Sequence, residues 1–269
     1  MNPSPDRAAE SLLAFWAEAG VDVCLNDTPV DRLAEGAARL KARHQPAAPK
    51  GLPKAAAKGA PDVSAAVAEA KRLAAETQDL EQLAAAIAAF EGCTLRYEGA
   101  KQAVFSRGDP NAPLMIIGEG PGGEEDAKGE PFVGRAGQLL DRMLAAAGLT
   151  GRVFITNTVF WRPPGNRTPS AAEQAVCAPF LERAIQLVNP KILMLAGGAS
   201  AKSVLKRDEG ILTLRGRWFE WKSEDETVAL PALPTLHPAF LLRQPAAKKK
   251  AWTDLLTLTE RLDRPDRPA

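Results

Sequence analysis

The 269-residue chain is short of several things that would have narrowed its function at once. It has three cysteines, Cys24, Cys93 and Cys177, odd in number and far apart, with no CxxC pair. That signals neither a disulfide framework nor a zinc ribbon. It has almost no net charge, +1, so bulk electrostatics argue neither for nor against a nucleic-acid partner. Any DNA-binding surface has to come from local charge asymmetry. No apolar run is long enough to span a bilayer, so no membrane partner is expected. The start, "MNPSPDRAAESLL", lacks the basic and apolar regions of a secretion signal. A cytoplasmic location, at the nucleoid when acting on DNA, is the expectation. What is present is ordinary for a soluble globular protein: 45% hydrophobic and 25% charged residues. The length suits one sizeable domain plus an appendage.

Residues 1–42 read as a helical segment, with Leu12, Leu13, Trp16 and Val21 on one rough face. Residues 43–62, rich in Pro, Ala and Lys, read as a flexible basic linker. His44 lies in it, with solvation as its expected fate. Residues 63–89 resume a helical pattern. From 90 to 262 the texture changes, and strand-like runs alternate with helix-like ones. "LMIIG", "RVFITN", "KILMLAG", "WFEWK" and "VALPALPTLHP" read as strands. "AGQLLDRMLAAAGL" reads as a helix closed by Gly148, and "SAAEQAVCAPFLERAIQLV" as one capped by Ser170. Residues 263–269 read as a disordered tail. Continuous apolar strands separated by helices predict an α/β fold: three αβα layers around a mostly parallel sheet of about four strands, with a helical N-terminal extension. Ligands of such sheets bind beyond the carboxyl ends of the strands. The segments that follow strands therefore carry the function: "GEGPGGEED", "NTVFWRPPGNR" and "HPAFLLR".

The first of these looks like a phosphate loop but fails as one. There is no GK[ST], and "GEGPGG" does not match GxGxxG. Pro121 removes a backbone donor. Glu119, Glu124, Glu125, Asp126 and Glu130 would repel a phosphate. Most of these acids read as a solvated turn. Glu119 stands apart, between two glycines at a strand end, where backbone can approach a ligand closely.

Together, "GEGPGGEEDAKGEPFVGRAGQLL", "ITNTVFWRPPGNRTP" and "LPTLHPAFLLR" resemble the uracil-DNA glycosylase superfamily, nearest its bacterial and archaeal family 4. The likeness covers about residues 90–262. It implies a monofunctional enzyme that flips uracil out of DNA, hydrolyses its N-glycosidic bond and leaves an abasic site, as a monomer, in base-excision repair. Its partners would be uracil-containing DNA and the abasic product. The chemistry suits the residues. An oriented asparagine amide can pair with N3–H and O4 of uracil and reject cytosine, and the resemblance gives Asn157 that role. Phe132 would stack on the uracil ring. His237 would stabilise the negative charge that develops at O2. Glu119 would face the oxocarbenium-like sugar, as a base or as a holder of charge and water. Gly120 would let backbone approach the base, and Glu125 is a weaker substrate-binding candidate. "AFLLR" offers Leu241 and Leu242 as wedges for the vacated stack, with Arg243 beside them. Arg162, Asn166 and Arg167 suit phosphate contacts. Lys248–Lys250 suit either phosphate contact or a solvated helix start.

One family trait is missing. Family 4 enzymes usually hold an iron–sulfur cluster on four cysteines. Here the four positions are Phe90, Cys93, Trp161 and Cys177. Two thiolates do not make a cubane site, and Cys24 would still leave it one ligand short. The expectation is no cluster and no metal, with Phe90 and Trp161 filling the volume. Two other functions compete: a non-catalytic protein that binds uracil or abasic DNA and recruits repair partners, and a nucleotide-phosphate binder using residues 118–123.

Overall fold

A computed structural model describes residues 63–264. The expected helical segment 1–42 with Cys24, the linker 43–62 with His44, and tail residues 265–269 lie outside the described residues.

The chain opens with helices α1 (Val63–Glu76) and α2 (Leu80–Ala89), the latter capped by the Asp79 carboxylate, which accepts from Gln82 N. Then come β1 (Ser106–Gly108), β2 (Leu114–Gly118), α3 (Gly123–Lys128), α4 (Arg135–Ala146), β3 (Val153–Asn157) and α5 (Ala171–Val188). Strand β4 (Ile192–Ala196), α6 (Gly198–Leu205), α7 (Ile211–Leu214), β5 (Phe219–Lys222), β6 (Ala229–Thr235), α8 (Pro238–Arg243) and α9 (Lys248–Asp263) complete it. Helix α5 begins with the expected Ser170 cap, closed into a box by Glu173. Gly148, φ 70°, follows α4 in the left-handed conformation expected of a helix-closing glycine.

The sheet has six strands in the order β1-β3-β2-β4-β6-β5. Its centre, β3-β2-β4-β6, is parallel; β1 and β5 pair antiparallel at the edges. The expected parallel sheet of about four strands is thus present, extended by the short edge β1 and by β5, the "FEWK" strand. Parallel pairing needs cover on both faces, and the sequence of β2 supplies it by alternation. Leu114 and Ile116 face a core with Leu140, Leu144, Leu255 and Leu258 of α4 and α9. Met115 and Ile117 face the other, with Phe180 and Ile185 of α5 and Leu83 and Ile87 of α2.

Residues 63–89, expected only as a helical segment, pack into the core of the α/β domain. Ala66, Ala70 and Ala74, spaced four and four along α1, are buried against α5. Arg183 of α5 donates to the Thr77 carbonyl at the α1–α2 corner. Small side chains on one stripe let two helices approach closely, and an alanine-rich sequence reads as generic helix until its partner is known.

Candidate active site

The carboxyl ends of β2, β3 and β6 open onto one cleft of about 460 Å³. Glu119 and Gly120 follow β2, Asn157 ends β3, and His237 lies two residues past β6. The cleft is lined by Glu119, Gly120, Glu125, Phe132, Asn157, Asn166, Arg167, His237 and Arg243, among others. Residues up to 124 positions apart in sequence therefore meet where an α/β sheet binds its ligand.

Asn157 and Gly118 are register partners across β3 and β2. A methyl at Gly118 would lie 2.6 Å from two ring carbons of Phe132, and closer still to Oδ1 of Asn157. The amide and the ring thus converge above a position that only glycine can occupy. Asn157 is 2% exposed, and among the described residues nothing hydrogen-bonds its amide. Among the described residues the only buried side-chain polar atom left without a partner is Asp126 Oδ2, so the Asn157 amide, though its residue is buried, opens onto the cleft. An amide in a cleft and left free is available to a ligand.

His237 caps α8. Its Nδ1 accepts from Ala239 N at 3.1 Å, so in the neutral ring the proton sits on Nε2. Burial, and next the positive charge of Arg243, push its pKa down to about 4, against the opposing pull of Glu125. At neutral pH His237 is an uncharged imidazole with a fixed donor. Gly197, φ 100°, follows β4 and passes beneath it; a Cβ there would lie 2.9 Å from His237 Cβ. The His237 and Phe132 rings stand 5.5 Å apart, tilted by 32°.

Phe132 has φ 56°, the left-handed region that a bulky residue avoids, at a cost of roughly 1–3 kcal/mol. Three groups hold it there. Arg107 of β1 donates from Nε to the Pro131 carbonyl (2.8 Å) and from Nη2 to the Phe132 carbonyl (3.2 Å), and is itself paired with Asp141 of α4 at 2.6 Å. Glu125 accepts from the backbone N–H groups of Val133, Gly134 and Gly122 at 3.0, 2.9 and 3.1 Å. Gly137 leaves room for the Phe132 carbonyl, with which a Cβ would collide.

Several sequence expectations change in consequence. Glu125 lines the cleft, but both its oxygens are taken by backbone, so it positions the Phe132 loop instead of contacting substrate. Leu241 is fully buried against Leu139, Leu236 and Ala251, so it cannot enter DNA without leaving the core. Leu242, half-buried, is the outward residue of the pair. Arg167 lines the cleft, yet its guanidinium grips Glu173 bidentately at 2.7 and 2.8 Å and also reaches Glu98. Its hydrogen bonds hold the Glu173 carboxyl below the usual range. Arg162 lies outside the cleft lining and donates to Asn166 Oδ1 at 2.7 Å. Sequence reasoning missed Arg107, Gly118, Gly137 and Gly197. The glycines had a signal, since Gly118 ends a strand, Gly197 follows the end of another and Gly137 lies in the first turn of a helix. Arg107 had none.

The four positions of a family 4 cluster do not fit one. Phe90 and Trp161 are 3% and 2% exposed, with ring centroids 6.5 Å apart, and Phe180 stacks edge-on to Phe90 at 5.1 Å. Phe160 and Phe105 extend this packing. The buried thiols of Cys93 and Cys177 share a hydrogen bond, which, with burial, holds Cys177 well above the ordinary thiol range. Among the described residues no group of three or more His, Cys, Asp or Glu could hold a metal ion.

A doubly covered, mainly parallel sheet with a buried amide, an aromatic wall and an imidazole at its carboxyl edge defines a nucleobase-binding α/β protein. The sequence places it more closely: residues 105–256 match the uracil DNA glycosylase superfamily, and the chain belongs to that family. It is 36% identical over 187 residues to the type-4 uracil-DNA glycosylase of Sulfurisphaera tokodaii, spanning 67% of this chain and 84% of that one. It is 38% identical over 182 residues to that of Pyrobaculum aerophilum, spanning 66% and 91%, and 41% over 143 residues to that of Thermotoga maritima, spanning 52% and 71%. Among the described residues no helix is long and apolar enough to cross a membrane.

Proposed function

We propose that the protein is a monofunctional uracil-DNA glycosylase, acting as a monomer in base-excision repair. The carrying observation is the amide of Asn157, free of protein partners and open to the cleft, set against the Phe132 ring and the uncharged His237. In this reading Asn157 Oδ1 accepts N3–H of a flipped uracil and Nδ2 donates to O4. Cytosine offers the opposite pattern at both atoms and leaves the amide mismatched. Phe132 stacks on the base. As the C1′–N1 bond breaks, its electron pair passes to the uracil ring. His237 Nε2–H donates to O2, where that charge collects. A neutral donor suits this task, because it stabilises the anion without first having to bind a proton. Glu119, at the cleft, favours the positive sugar and orients the water whose oxygen bonds to C1′. The proton that this water gives up ends on the departing uracil anion, so neutral uracil and an abasic site result. Among the described residues no lysine lines the cleft, so none of them offers a side-chain amine there to form a Schiff base and cut the strand.

Arg243 and Leu242 project from the end of α8 beside the cleft and suit the duplex: the arginine for phosphate, the leucine for the vacated stack. The reading also dispenses with an iron–sulfur cluster, since rings occupy two ligand positions. Protein prepared under anaerobic, iron-replete conditions should lack the absorbance near ~400 nm expected of thiolate-ligated iron. The direct test is uracil release from end-labelled oligonucleotides carrying uracil in single strands, U:A pairs and U:G pairs. Release followed by cleavage only after alkali supports the proposal; no release from any substrate refutes it.

A further inference from the structure

The cleft leaves an apolar groove on the other side of α8 without a function. This groove, of about 280 Å³, is lined by Leu139, Met143, Lys248, Lys249 and Trp252. Trp252 is 37% exposed, an unusual state for the largest apolar side chain, and Leu256 one turn on is 49% exposed. The groove is rigid. Its two walls are α4 and α9, and beneath it Leu139, Leu236, Leu241 and Ala251 form a small core shared with α8. Helix α9 is pinned to the sheet by buried Asp254, which accepts from Thr235 at 2.7 Å and pairs with Arg215.

Two observations say what fits. The first is charge. Lys248, Lys249 and Lys250 are exposed, and among the described residues none makes an ion pair. An apolar slot bordered by unpaired ammonium groups suits a ligand with a flat apolar part and a repeating negative charge. The second is position. Helix α8 is a partition: His237, Ala239, Phe240 and Arg243 line the cleft, while buried Leu241 packs under the groove. Arg243 of the cleft and Lys248 of the groove lie only five residues apart along the chain, across the short connection from α8 to α9.

We propose that this groove is a second nucleobase site, in which Trp252 stacks on one unpaired base of single-stranded DNA flanking the uracil, while Lys248 and Lys249 hold the adjoining phosphates. The base must be unpaired, because a paired base has both faces covered by its neighbours in the duplex. The inference deepens the glycosylase reading, resting on it for the strand's path, and makes a single strand the preferred substrate. Stacking of a base on an aromatic ring changes affinity by about 5- to 100-fold.

The test compares the full chain with Trp252→Ala and Trp252→Phe. Fluorescence anisotropy of a labelled single-stranded 15-mer without uracil reads the groove independently of catalysis. Weaker binding by Trp252→Ala, by about 5- to 100-fold, with near-parent binding by Trp252→Phe, supports the site whether or not uracil is released. In the cleavage assay, Trp252→Ala should raise KM on a uracil-containing single strand with kcat unchanged, and leave a uracil-centred trinucleotide unaffected. Lys248→Ala with Lys249→Ala should flatten the salt dependence of single-strand binding by about 1.4 in log–log slope. Equal single-strand affinity for the parent and Trp252→Ala would overturn the proposal and leave the groove to a protein partner.

Discussion

At the base of the cleft there is no room for one more methyl group. At Gly118 a Cβ would sit 2.6 Å from Cε2 and Cζ of Phe132, where carbon atoms prefer about 3.5–4.0 Å. Gly118→Ala therefore has to push Phe132, Asn157 or both by about 1 Å. Neither is free to yield. Phe132 is held in the left-handed region by Arg107 and Glu125, and Asn157 ends a strand paired on both sides. Overpacking a tight site costs roughly 1–3 kcal/mol. In a domain of this size each kcal/mol lowers Tm by about 2–4 °C. A displacement of about 1 Å in groups that orient a reacting base costs on the order of 100-fold in rate. Gly118→Ala should therefore lose roughly two decades of kcat/KM on a uracil oligonucleotide while remaining folded, with a Tm only several degrees lower. The control is Gly148→Ala. There φ is 70° and nothing lies within 4 Å of the added carbon, so it pays backbone strain far from the cleft. It should lower Tm and leave kcat/KM alone. A Gly118→Ala protein with parental kcat/KM would refute the claim that Asn157 and Phe132 share one base between them.

Asn157→Asp replaces the donor at O4 by an acceptor; release of uracil should fall by at least about 100-fold and cytosine release should become detectable by chromatography of free bases. Because His237 titrates at about 4, kcat/KM should stay flat from pH 8 to pH 5 and fall only as the imidazole gains a proton near pH 4. Arg243→Ala removes a charge that depresses this pKa, so the acid limb should move to higher pH. The same depression has a stability consequence. The unfolded chain binds this proton from about pH 6.5 downwards and the folded chain only from about 4, so stability falls between those values as pH drops, by roughly 3 kcal/mol in all. Urea titrations at pH 7 and pH 4 compared with His237→Asn would isolate that contribution. Arg107→Ala should lose roughly 10- to 100-fold in kcat/KM by releasing the Phe132 loop. Arg107→Lys, which keeps one charged donor, should recover part of it.

Much of this was readable from the chain because the residues that touch a base lie directly after strands. The end of "RVFITN" and the step after "LMIIG" had to fall at the carboxyl edge of a parallel sheet, and there they are. Five features were not readable, for separate reasons. The reach of Arg107 to Pro131, Phe132 and Asp141 spans 24 to 34 residues and obeys no local period. The left-handed backbone of Phe132 is imposed from outside, and a phenylalanine advertises no such preference. Leu241 and Leu242 sit in a six-residue helix, too short for periodicity to say which faces the core. Strand β1, "SRG", carries no alternation at all, and α1 hides its buried stripe among alanines that look alike on every face.

The posture of Phe132 also bears on safety. An enzyme that removes bases from DNA is hazardous when its discrimination fails. Here the stacking wall is held in an unfavourable conformation by ties from three separate parts of the chain: Arg107 on the sheet edge, Glu125 on α3 and the bare backbone of Gly137 on α4. Loss of any one lets the ring relax away from the site. A chain that is partly melted, nicked at the sheet edge or still folding keeps its sheet centre but has no second wall. On heating, base release should vanish before the main transition, so the protein fails by falling silent rather than by releasing bases indiscriminately.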